Sequence, residues 1–128
     1  MATPAAAGAA LLFRQYFMTA STSFWMGSCD SSNSFCKPFT PSGVLIKALM
    51  ISSAEQMSLY HGGGSADIKL GTPPDNMQGF GRVQMNNVLP LKGVYDKTSL
   101  YVDDLRSITP GKTISYTVTV STGSVPLR

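Results

Sequence analysis

Charge is scarce in this chain. Only 13% of its 128 residues are Asp, Glu, Lys or Arg, against about 25% in average globular domains. The net charge of +3 is spread thinly, with no basic cluster interleaved with aromatics. That excludes the electrostatic footprint of a nucleic-acid-binding protein. Long apolar runs are also missing, and none approaches the ~20 residues a bilayer requires. Histidine occurs once, at His61, and cysteine twice, at Cys29 and Cys36. One imidazole and two closely spaced thiols in a polar stretch make a poor zinc site. Asp96, Asp103 and Asp104 do not have the spacing of a dense calcium loop and read as solvated turn carboxylates. No metal or other cofactor is therefore expected.

What the chain does have is length for one ordinary domain or pieces of two, a globular hydrophobic content of 43%, and an unusual N-terminal stretch. From Pro4 to Phe13 there is no charge and no strong polar group; the first charge is Arg14. A secretory signal would carry its basic region ahead of the apolar run, so this stretch reads as a helix and not as a targeting segment. Ala, Leu, Met, Arg and Gln favour a helix over residues 1–19. Thr3 is expected as its N-cap, with Pro4 in the first turn, where a missing N–H costs nothing. Being apolar on every side, the helix is expected to be buried. Gly8 costs roughly 1 kcal/mol against alanine at a helical position, which points to something packed close against the backbone there.

Residues 20–39 are rich in Ser, Thr, Asn and Gly, lack periodicity and read as a surface insertion pinned by Phe24 and Trp25. Cys29 and Cys36 lie in it. A local disulfide would stabilise by roughly 2–3 kcal/mol through loop closure and imply an oxidising compartment; the alternative is two free thiols. Thr40 and Pro41 open a second helix, residues 41–54, with Thr40 as cap and Val44, Leu45, Ala48, Leu49, Ile51 and Ser52 on one face. The stretch 55–77 is punctuated by glycine and proline. In the closing segment 78–90, glycines permit a tight backbone passage, Phe80 and Val83 are expected core anchors, and residues 85–89 suit one short helical turn. Leu100–Val102 is a strand candidate and Thr109–Lys112 a turn. Ile114, Tyr116, Val118 and Val120 alternate with Ser115, Thr117 and Thr119, which predicts a β-hairpin over about 99–128.

Three of these stretches together carry a resemblance. Met1-Ala2-Thr3-Pro4 followed by Ala7-Gly8 resembles the tail of the nucleophile motif of subtilisin-like serine proteases, Gly-Thr-Ser-Met-Ala-Thr-Pro followed by Ala-Gly. The helix from Pro41 to Ala54 is similar to the family's next helix, which starts at a Pro-rich turn. Gly79-Phe80-Gly81-Arg82-Val83 resembles the Gly-aromatic-Gly-Arg-Val segment that closes the catalytic domain in the subgroup where a β-sandwich follows. The resemblance covers about residues 1–92 in the family's order.

The resemblance implies an α+β fragment. Residues 1–92 would be the last helices of a subtilisin-like α/β catalytic domain, and residues 93–128 the first strands of a β-sandwich. It further implies a serine endopeptidase that takes protein or peptide substrates. The nucleophilic serine would stand directly before Met1, with Met1, Ala2, Thr3 and Pro4 flanking the active site. In the family the orienting Asp, the His base and the oxyanion-hole Asn all precede the serine helix, so no catalytic residue is carried over onto this chain, and alone it is expected to be inactive. His61-Gly62-Gly63-Gly64 is similar to the oxyanion loop of lipases, but neither the preceding strand nor a Gly-x-Ser-x-Gly elbow is present; a glycine loop with a solvated histidine is the simpler reading. An extracellular or secretory location follows if the cysteines are bridged. The isolated chain is expected to associate through its apolar first helix. The alternative to a protease fragment is a small noncatalytic α+β module with a binding or adhesive role.

Overall fold

A computed structural model describes residues 2–19, 37–61, 68–91 and 100–117. The fold is mixed α+β. Helix α1 spans Ala2–Thr19 and helix α2 spans Gly43–Ser53. Among the described residues four two-residue strands follow: β1 (Ala54–Glu55), β2 (Leu59–Tyr60), β3 (Ile68–Lys69) and β4 (Arg82–Val83). A 3₁₀ turn, Met85–Asn87, comes after them, in the place where the sequence suited one helical turn.

The two helices occupy nearly the expected spans, but their caps differ from expectation. Helix α1 begins at Ala2, so Thr3 is already helical and is not its cap. Proline is accepted at position 4 because the first four N–H groups of a helix have no intrahelical partner. In α2 the cap is Ser42 and not Thr40. Its backbone is extended, and its Oγ accepts a hydrogen bond from the Leu45 N–H at 3.0 Å. Pro41 is buried just ahead of that cap, outside the helix.

The helices meet through Phe13 and Phe17 of α1 and Leu49 of α2. Val88, Leu89 and Val102 complete the buried cluster. Phe39 adds a ring 5.2 Å from that of Phe17 and donates its N–H to the Phe17 carbonyl at 3.0 Å. Tyr16 donates its hydroxyl to the Pro90 carbonyl at 2.6 Å, tying α1 to the closing segment. Burial pushes the Tyr16 hydroxyl up to about 12, since loss of water disfavours the phenolate.

Only one stripe of α1 is covered. Residues 2–8 are exposed, as are Leu11 (65%) and Leu12 (54%). The expectation of all-round burial therefore fails in this chain: α2 and the core residues at 88, 89 and 102 reach a single face. Nor does any atom beyond the helix's own backbone lie within 4 Å of where a Gly8 Cβ would stand.

β1 continues directly from α2 and pairs antiparallel with β4, Ala54 opposite Val83 and Glu55 opposite Arg82. β2 and β3 form a second antiparallel pair. Val83 packs against the core as expected, whereas Phe80 is 51% exposed and anchors nothing. It sits between Gly79 and Gly81, both with positive φ, on a backbone shaped by the approach to β1. The 99–128 hairpin is not formed over residues 100–117, which carry no strand; residues 118–128 lie outside the described residues. Val102 is drawn into the helix core instead, and a single strand pair with no covered face is marginal in water. The turn at 109–112 is present, closed by a hydrogen bond from the Lys112 N–H to the Thr109 carbonyl at 3.0 Å, with Gly111 at φ +79°.

Candidate functional site

The candidate site is the N-terminal end of α1. Ala2, Thr3 and Pro4 are exposed in its first turn; Met1 lies outside the described residues. A helix start presents unpaired N–H groups and the positive end of the helix dipole, which together suit a developing anion. Pro4 contributes no N–H to that set. The far half of α1 is fixed by Phe13, Tyr16 and Phe17, so the exposed first turn projects from an anchored helix.

The remaining candidate residues are dispersed. His61 is exposed at the end of β2, away from any cluster of metal-ligating side chains; no group of three or more His, Cys, Asp or Glu that could hold a metal occurs among the described residues. Its following glycines, and Cys29 and Cys36, lie outside the described residues. Asp103 and Asp104 are not simply solvated. Asp104 accepts two hydrogen bonds from Ser42, and Asp103 accepts the Tyr116 hydroxyl at 2.6 Å with Arg106 3.9 Å away. The negative partner raises the Tyr116 hydroxyl above its ordinary range. No helix among the described residues is long and apolar enough to cross a membrane.

Sequence reasoning missed one polar network. Gln78 is buried, and its Oε1 accepts the Met57 N–H at 2.9 Å. Its Nε2 donates to the Gly71 carbonyl at 2.7 Å and to Asp75 Oδ2 at 3.0 Å. Asp75 Oδ1 in turn accepts the N–H groups of Met77 and Gln78, both at 2.8 Å. Hydrogen bonds from Gln78, then from Met77, hold the Asp75 carboxyl below the usual carboxylate range. The signal lay in Pro73-Pro74-Asp75-Asn76, where an Asp followed two residues on by a backbone donor forms an Asx turn. The hydrogen bonds of this network hold the loop.

Gly81 marks the other constrained point. Its φ is +107°, and a Cβ there would stand 2.3 Å from the Glu55 carbonyl oxygen. The Gly-Phe-Gly-Arg-Val segment thus requires glycine at its second Gly position so that β4 can lie against β1.

No family model matches the chain, and no curated protein or solved structure matches it either.

Proposed function

We propose that residues 1–92 are the C-terminal part of a subtilisin-like serine endopeptidase domain, with α1 as the helix that follows the nucleophilic serine. The observation behind this is the order of three stretches: Met1-Ala2-Thr3-Pro4 with Ala7-Gly8, then the helix after Pro41, then Gly79-Phe80-Gly81-Arg82-Val83. A serine directly before Met1 would sit where the unpaired N–H groups of the helix start can stabilise the oxyanion formed on attack at a peptide carbonyl. The His base and orienting Asp that such a serine needs would come from residues preceding this chain. The 128 residues alone hold no catalytic group for the reaction. A bridged Cys29–Cys36 pair would put the longer protein in an oxidising, extracellular or secretory compartment.

The test is labelling by a serine-directed fluorophosphonate. A longer chain that includes the preceding residues should read Gly-Thr-Ser before Met1 and be labelled on that serine, and changing that serine to alanine should abolish labelling. The 128-residue chain should not be labelled and should hydrolyse no peptide above buffer. Labelling of the 128-residue chain, or an unrelated sequence before Met1, would overturn the proposal.

A further inference from the structure

We infer that residues 100–104 are an intramolecular clasp that binds the segment beyond residue 92 to the helix pair. The inference is independent of the protease proposal. Two contacts, made by residues two positions apart, carry it. Val102 is buried in the cluster that holds Phe13 and Phe17 of α1, Leu49 of α2, and Val88 and Leu89. Asp104 engages Ser42 twice: its Oδ2 accepts the Ser42 N–H at 2.7 Å, and its Oδ1 accepts the Ser42 hydroxyl at 2.6 Å.

Ser42 is also the cap of α2. Its hydroxyl proton goes to Asp104 while its oxygen accepts the Leu45 N–H, so one side chain passes the hold of a distant carboxylate on to the first turn of the helix. The carboxylate is also well placed near the positive end of α2. Asp104 is further steadied by the Leu105 N–H, which donates to Oδ1 at 2.9 Å. Leu105 itself has φ +58°, a conformation that non-glycine residues rarely adopt; the chain turns there, directly after the clasp. Beyond it, Tyr116 returns to Asp103 and its ring lies 6.1 Å from that of Tyr101. Closing the clasp completes the cover of the buried cluster; opening it would expose part of that cluster and release the Ser42 cap from its carboxylate in one event.

Hydrogen exchange on the 128-residue chain tests this residue by residue. In the unaltered chain the Ser42 and Leu45 amides should exchange more slowly than in an unstructured peptide. Asp104→Ala should speed Ser42 exchange by roughly ten- to a hundredfold, the range for loss of a hydrogen bond to a charged group, and should speed Leu45 as well. Asp104→Asn, which keeps one acceptor oxygen, should lie between. Asp104→Ala in a Ser42→Ala background should change Leu45 exchange little, since the relay is already broken. Unprotected Ser42 exchange in the unaltered chain, or no response to Asp104→Ala, would overturn the clasp. Neither result would bear on serine labelling of the longer protein.

Discussion

Two substitutions of glycine by alanine should have opposite signs, and the structure gives the reason for each. At Gly81 the new methyl would meet the Glu55 carbonyl at 2.3 Å, and the backbone would have to hold φ +107°. Backbone in such a region costs a non-glycine residue about 1–3 kcal/mol. The clash adds to this, because the opposing atom belongs to the main chain and cannot swing aside. Relief requires β4 to move off β1, which breaks the pairing of Ala54 with Val83 and of Glu55 with Arg82. At Gly8 nothing lies within 4 Å of the added methyl, and alanine is better than glycine by about 1 kcal/mol inside a helix. Exchange rates at Glu55 and Arg82, which stand opposite one another, should therefore rise at least roughly tenfold in Gly81→Ala. Exchange along α1 should slow roughly fivefold in Gly8→Ala. Urea unfolding followed by circular dichroism should rank the variants Gly8→Ala, unaltered, Gly81→Ala. Equal stability of Gly81→Ala and the unaltered chain would refute the close approach of β4 to β1. Loss of stability in Gly8→Ala would mean that some surface packs tightly on α1 there after all.

The Asp75 carboxyl, held low by its bonds to Gln78 and Met77, favours the folded loop as a carboxylate. Its contribution is present above the ordinary value of 3.8 and is lost as pH falls through the lower native value. Amide exchange at Met77 and Gln78 should quicken, relative to intrinsic rates, as pH drops below about 4, and Asp75→Ala should remove that dependence; a dependence that survives in the variant would assign it to another group. Exposed Leu11 and Leu12 on α1 should drive association at micromolar concentration, seen by sedimentation velocity and reduced in Leu11→Gln/Leu12→Gln. A monodisperse monomer with a cooperative thermal transition would speak against a protease fragment and for an independent module.

Both helices and the short turn at 85–87 could be read from the sequence because their causes are local. Alanine and leucine runs, a proline-led start and a helical apolar face act over a few residues. The choice of Ser42 over Thr40 as cap could not, because it depends on Asp104, far along the chain. The same holds for β1 and β4: two residues in each strand leave no period to detect, and their pairing depends on Gly81 fitting beneath the Glu55 carbonyl. Over residues 114–117 the alternation promised a strand that is not formed, because pattern cannot supply a pairing partner. For the candidate site, the first turn of α1 was legible as a motif, while the Gln78 network was hidden because its acceptors are main-chain carbonyls that no side-chain pattern reports.

The core that joins Phe13 and Phe17 to Val102 also sets a timetable for synthesis. Val102, the last residue of that buried cluster among the described residues, is added 85 positions after Phe17. At ~5–20 residues per second that interval is roughly 4–17 s. Helix α1 must pass through it with its aromatic face covered only by what precedes residue 88, Phe39 and Leu49. Until residues 88–102 arrive, the rest of that face stays open to association with other apolar surfaces.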